Sequence, residues 1–364
     1  MIKYIGSKRA LLPWIVDVIE GIRQLENVVT VVDLFSGSAR VAHALKARGF
    51  HVTANDMNTY AFVLAQALVE ADANQYERNT VVRILQELEQ VEPIAGWFTQ
   101  AYCENARYFQ AKNGARIEGI RETIEQRYHS DPLLKAILLT SLILAADKVD
   151  STTGLQMAYL KDWAPRSYND LRLEYPPLLP GVGKAIQGDA LEVAAQLEAD
   201  LFYLDPPYNQ HSYLGNYHVW ETLVRWDKPQ TYGVANKRTD VKERKSPFNS
   251  KREAKNAMTT VLSQIKARHV VVSFNNEGFF SAAEIEAMLK DSGKWGYVVR
   301  LTRPHQRYIG ARIGIYNPQG EKVGAVSHTE NHEFLFVATH SPRVYQALRA
   351  QRGPLASMQP TLFG

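Results

Sequence analysis

Ala199-Asp200-Leu201-Phe202-Tyr203-Leu204-Asp205-Pro206-Pro207-Tyr208 is the stretch on which the reading of this chain turns. Its first six residues form a short, mostly apolar run with the composition of a strand buried on both faces. The run stops at an acid and two prolines. Proline has no backbone donor, leaves its carbonyl free and pushes the preceding residue into extended geometry. A carboxylate, free carbonyls and the Tyr208 ring therefore converge at the carboxyl edge of a strand, where open α/β sheets bind ligands. The set suits a planar base with an exocyclic amine. The amine donates to the carboxylate and a carbonyl, and the ring stacks on the tyrosine. Taken alone, the tetrapeptide fits equally well a proline-rich turn whose acid caps the next helix.

Working outward, Ala185-Ile186 before this stretch and Val270-Val271-Val272-Ser273-Phe274 after it read as further strands. Near the start, Val28-Val29-Thr30-Val31-Val32-Asp33-Leu34-Phe35 is another β-branched buried run. A small-residue turn follows, Ser36-Gly37-Ser38-Ala39, then a helical pattern over 40–48 stopped by Gly49. His51-Val52-Thr53-Ala54 reads as the next strand and ends on Asn55-Asp56. Residues 297–301 and 334–338 suit a terminal antiparallel ribbon. Strands alternating with helices predict an α/β fold with a mainly parallel, doubly wound sheet. The stretch 57–183 interrupts that rhythm with helical patterns at 79–90, 115–129 and 132–149 and a Tyr-, Trp- and Pro-rich piece from 150. The expected division is a discontinuous sheet domain (1–56 and 184–340), a helical insertion (57–183) and a tail (341–364).

A chain of 364 residues suits about two domains, or one with a large insertion. No run approaches the roughly 18 apolar residues of a membrane span. The opening Met1-Ile2-Lys3-Tyr4-Ile5-Gly6-Ser7-Lys8 lacks the apolar core of a secretory signal, so a cytoplasmic protein is expected. The single cysteine, Cys103, excludes an internal disulfide and a cysteine-only metal cage. It follows Tyr102 rather than a proline, which excludes the Pro-Cys nucleophile of cytosine-C5 enzymes. No metal is expected: His211 and His218 have no ligand spacing, and the His328/His332 pair lies where a turn enters a strand. Trp220, Trp226 and the apolar positions between 219 and 223 read as helix core.

The net charge of +4 is unevenly spread. Residues 237–255 hold eight Lys or Arg against three acids. Lys237, Arg238, Lys242, Arg244, Lys245, Lys251 and Arg252 are therefore candidate phosphate contacts. Arg300, Arg303, Arg307 and Arg312, interleaved with His305 and Tyr308, form a second basic cluster.

The run from Asp33 to Ser38 puts an acid at a strand end before a tight turn and an electropositive helix start. Asp56 follows 23 residues later, near the spacing at which an acid reaches a ribose hydroxyl. Only Gly37 remains of a pyrophosphate-binding glycine pattern. S-adenosylmethionine, which carries a ribose and an adenine but no phosphate, fits that loss. Gly188-Asp189 follows another strand and is placed to accept from an adenine amine.

The order Tyr4-Ile5-Gly6-Ser7-Lys8, Asp33 to Ser38, Asn55-Asp56, Gly188-Asp189, Asp205-Pro206-Pro207-Tyr208 resembles the Dam-like, alpha-group adenine-N6 DNA methyltransferases. Ser273-Phe274-Asn275-Asn276 and Glu333-Phe334-Leu335-Phe336 extend the likeness over nearly the whole chain. Asn209-Gln210-His211 with Tyr213 and Tyr217 looks like the restriction–modification branch. The resemblance implies a Rossmann-like methyltransferase sheet, S-adenosyl-L-methionine as cofactor and double-stranded DNA as partner, with a cognate restriction endonuclease acting on the same site. It also implies residue roles. Tyr4, Lys8, Asp33, Phe35 and Gly37 would serve the cofactor, Asp56 its ribose and Asp189 its adenine. Asp205 and the Pro206 carbonyl would hold the target amine, with Pro207 stiffening the loop and Tyr208 stacking on a flipped base. Target recognition would fall to the helical insertion, with the basic segment 237–255 sharing the DNA. Cytosine-N4 or RNA methylation, and a catalytically silent DNA-binding relative, are the competing readings. Asp at 205, in place of Ser or Asn, and intact acids at 33 and 56 speak against them.

Overall fold

A computed structural model describes residues 2–4, 8–306, 315–316, 322–324 and 330–350. Its centre is a seven-stranded sheet built from β1 (Thr30–Asp33), β2 (His51–Asp56), β3 (Gly183–Gln187), β4 (Leu201–Leu204), β7 (His269–Asn275), β8 (Tyr297–Gln306) and β11 (Glu330–Thr339). The order across the sheet is β3-β2-β1-β4-β7-β11-β8. Pairing is parallel from β3 to β7, and β11 runs antiparallel to both its neighbours. The smaller ribbons are β5 (Thr231–Tyr232) with β6 (Lys237–Arg238), and β9 (Ile315–Tyr316) with β10 (Lys322–Gly324).

Every residue of β4 and β7 is buried, as their runs of Val, Leu and Phe require in a sheet covered on both faces. β1 lies between β2, reached through one crossover, and β4, reached through another. The strand order reverses there, which opens a crevice at the carboxyl ends of β1 and β4. The anticipated ribbon of 297–301 with 334–338 forms, but as part of the main sheet, because β11 also pairs with β7.

One face of the sheet is covered by α1 (Leu12–Glu26) and α2 (Arg40–Ala47), whose buried Trp14, Ile15, Ile19, Ile22, Ala42 and Leu45 join one core with Val31 and Tyr203. α1 is not among the elements expected from the sequence. Helices α3 (Arg78–Glu89), α4 (Ala111–Tyr128) and α5 (Pro132–Lys148) fall where the apolar patterns put them. Their core is not closed off from the rest of the molecule. Their apolar cluster continues through Tyr60 into Tyr217, Val219, Trp220 and Leu223, which lie on and just before the helix His218–Arg225 that follows the Asp-Pro-Pro-Tyr loop. Trp220 is buried there, as its spacing suggested. At the far end, Val344 and Leu348 of the helix Pro342–Ala350 pack onto the α1 side. The rest of the tail, 351–364, lies outside the described residues.

Candidate active site

The carboxyl ends of β1, β2 and β4 converge on one cleft of about 930 Å³, counting its open mouth. Asp33 ends β1 opposite Tyr203 of β4, so Asp33 and Asp205 emerge at adjacent strand ends. Asn55 fastens this edge by donating to the carbonyls of Leu34 (3.0 Å) and Gly188 (3.2 Å).

Asp205 is held by Lys8, whose Nζ lies 2.9 Å from its Oδ1. The same ammonium sits 5.5 Å from the centre of the Tyr208 ring. Lys8 is only 6 % exposed. Burial alone would lower its pKa, but the Asp205 carboxylate outweighs that and holds the ammonium well above the ordinary lysine range. Burial likewise pushes Asp205 upward, with Lys8 pulling it back toward the ionised form. A turn near the start of the chain is thereby joined to the tetrapeptide nearly two hundred residues later.

Asp33 has no such cation. It is 1 % exposed, and its Oδ1 has no hydrogen-bond partner among the described residues. Burial, reinforced by the Asp205 charge, pushes its pKa up to about 8. Asp56 is satisfied instead: its Oδ2 accepts from Gly37 N at 3.0 Å, and its Oδ1 from Asn58 N and Nδ2 at 2.9 and 3.0 Å. Gly37 is required in this turn. Its φ is +52°, and a Cβ there would lie 2.9 Å from the Tyr4 hydroxyl. Tyr4 is itself stacked between Tyr213 and Tyr217, with ring centres 5.2 and 4.7 Å away. Asp189 lines the cleft and caps the helix Ala190–Gln196 by accepting from Leu191 N at 2.9 Å. Phe35 meets Phe248 edge-on at 5.1 Å, and Tyr208 meets Phe274 likewise at 5.4 Å. Pro207 lines the cleft and Pro206 is buried behind it.

The basic segment divides in two. Lys242, Lys245, Lys251 and Arg252 are exposed, as phosphate contacts must be. Lys237 is half-buried, and Lys242 lies 4.0 Å from the Tyr232 ring centre. Arg238 needs correction: it is 1 % exposed, and its guanidinium is forked onto Asp227 (2.6 and 2.7 Å) and Asp240 (3.0 and 2.9 Å). It locks the β5–β6 hairpin and has no donor to offer DNA. Arg244 also turns inward, 2.8 Å from the fully buried Glu221. In the second basic cluster Arg300 pairs with Glu286 at 3.2 Å, while Arg307, Tyr308 and Arg312 lie outside the described residues.

Some site residues escaped the sequence. Asn249 lines the cleft and donates from Nδ2 to the carbonyls of Asn209 (2.8 Å) and His211 (3.1 Å), fixing the loop after Tyr208. Glu221 also accepts from Thr59 Oγ1 at 2.9 Å and Tyr60 N at 3.0 Å, tying that loop's helix to the end of β2. His218 is buried against the Gln156 carbonyl at 2.8 Å, and burial lowers its pKa to about 3, so the ring is neutral. No group of three or more His, Cys, Asp or Glu able to hold a metal occurs among the described residues.

Residues 4–288 match the family model of the D12 class N6 adenine-specific DNA methyltransferases. The chain belongs to this family. It is 32 % identical over 325 residues to the modification methylase StsI of Streptococcus sanguinis, covering 85 % of this chain and 49 % of that one. It is 33 % identical to the type II methyltransferase M.FokI of Planomicrobium okeanokoites, covering 80 % and 47 %. The chain thus spans about half the length of these two relatives. It is 30 % identical to the type II methyltransferase M.NlaIII of Neisseria lactamica, there covering 81 % of this chain and 90 % of the relative. Family membership fits the Rossmann-like sheet, and it implies S-adenosylmethionine as cofactor. No helix among the described residues is long and apolar enough to cross a membrane.

Proposed function

We propose that this chain methylates the N6 amine of an adenine flipped out of double-stranded DNA, with S-adenosylmethionine as methyl donor. The observation that carries the reading is the Lys8–Asp205 pair, set in one cleft with Asp33, Asp56 and Asp189. The cleft suits the cofactor: Asp33 presents a buried, unpartnered carboxylate oxygen that a ligand ammonium satisfies. Asp56 takes the ribose side and Asp189 the adenine side.

When bound, the cofactor supplies an electrophilic methyl group. The chain's own residues prepare the nucleophile. Asp205, held by Lys8, and the free carbonyl of Pro206 accept the two N–H bonds of the target amine and turn its lone pair out of the ring. Flipping costs a few kcal/mol. Stacking on Tyr208 returns about 1–3 kcal/mol. Holding the amine in line with the methyl group then provides much of the acceleration. Lys242, Lys245, Lys251 and Arg252 contact the DNA backbone, and the helical insertion 57–183 contributes target recognition. The relatives' description as modification methylases supports a role beside a restriction endonuclease acting on the same site, in the cytoplasm.

The test is in vitro transfer from a methyl-labelled cofactor to DNA, followed by digestion to nucleosides. Label in N6-methyldeoxyadenosine is expected. Label in N4-methyldeoxycytidine, or in RNA alone, would replace this reading with one of its competitors.

A further inference from the structure

Three cations line the cleft: Lys8, Arg40 and Arg244. Two are already spent, Lys8 on Asp205 at 2.9 Å and Arg244 on Glu221 at 2.8 Å. Arg40 is not. It opens α2 directly after the Ser36–Ala39 turn, its Nε is buried without a partner, and it makes no ion pair among the described residues. Burial and the nearby Arg9 both disfavour the charge on Arg40, and no acid among the described residues pairs with it. A half-buried guanidinium without an anion is costly unless a ligand provides one.

The partner's chemistry follows from what stands beside it. Asp33, at the other end of the same strand–turn–helix, is a buried acid without a cation. One turn thus offers an acid for a cation and an arginine for an anion. That pairing matches a zwitterionic α-amino acid group. We infer that Arg40 receives the α-carboxylate of the cofactor's amino-acid end while Asp33 receives its ammonium. The inference rests on the cofactor reading above and deepens it. Arg40 is a binding residue: it anchors the tail that aims the methyl group at Asp205 and takes no part in bond making.

Calorimetry on the full chain separates the possibilities with three ligands. S-adenosylhomocysteine carries the whole amino-acid end, its decarboxylated analogue keeps only the amine, and 5′-methylthioadenosine has neither. Arg40→Met is expected to weaken S-adenosylhomocysteine about 10- to 100-fold, the range of a lost charge-assisted contact. The two ligands without a carboxylate should bind wild type and variant within about 2-fold of each other. Arg40→Lys should recover part of the loss, since it restores the charge but not the fork. Equal weakening of all three ligands would show damage to the pocket and overturn the assignment, as would unchanged S-adenosylhomocysteine affinity in Arg40→Met. Failure of the wild type to bind any of the three would overturn the cofactor reading and this inference with it.

Discussion

β1 and β4 lie side by side, and each delivers an aspartate to the same cleft, yet the two acids are prepared differently. Asp205 has Lys8 at 2.9 Å, which pulls it back toward the ionised form against the burial that raises its pKa. Asp33 has no cation among the described residues, and burial raises its pKa to about 8. Two identical side chains one strand apart thus differ in the partner the chain gives them. The lesson concerns which ligand arrives charged. A neutral amine needs a ready acceptor, and Asp205 has a cation built into the chain to favour that form. A cationic cofactor end supplies its own charge, so Asp33 is left for the ligand to ionise.

Removing one side of the comparison produces the largest effect. Asp205→Ala should lower single-turnover methyl transfer by roughly 10²- to 10³-fold or more, as loss of a preorganised polar contact does. S-adenosylhomocysteine affinity should stay within about 2-fold, because the cofactor end is read elsewhere. Next, Lys8→Met makes Asp205 resemble Asp33. With its cation gone, the Asp205 pKa climbs further. The acid limb of the transfer rate should move toward alkaline pH, and an unmoved profile would separate Lys8 from the chemistry.

The smallest change sharpens the comparison from the other strand. Cofactor binding should pull the proton off Asp33, so wild-type affinity for S-adenosylhomocysteine rises as pH is raised from 6 toward about 8. Asp33→Asn should bind about 10-fold more weakly and lose that slope. The same substitution acts on stability with the opposite sign. Folded Asp33 keeps its proton to about pH 8, whereas the unfolded chain releases it near pH ~4. Between those values the folded state binds the extra proton, so this group's contribution to stability falls as pH rises. Asp33→Asn should therefore be more stable than wild type at pH 8, by about 1–3 kcal/mol, seen as a higher Tm without ligand.

Much of this edge is legible in the linear sequence, because strands buried on both faces are written as unbroken runs of Val, Leu and Phe. Thr30–Asp33 and Leu201–Leu204 lie inside such runs, and His269–Asn275 extends the run Val270–Phe274 by one residue at each end. α1 was readable too: Trp14, Ile15, Val18, Ile19 and Ile22 follow the helical period, and all are buried. Contacts that close over distance were not. Nothing in Ser246-Pro247-Phe248-Asn249 announces that Asn249 binds the carbonyls of Asn209 and His211. Arg238 shows why a charge count misleads. One of its partners, Asp227, lies outside the basic stretch, so only the folded hairpin reveals that the guanidinium is already paired.

Single-molecule mapping of modified bases tests the central claim most directly. The chain and its Asp205→Ala variant would be expressed in cells that lack adenine methylation, and their DNA compared. N6-methyladenine at one recurring motif with the intact chain, and none with the variant, is the predicted result. Methylated adenine that persists in the variant, or its absence with a folded chain that binds S-adenosylhomocysteine, would contradict the account.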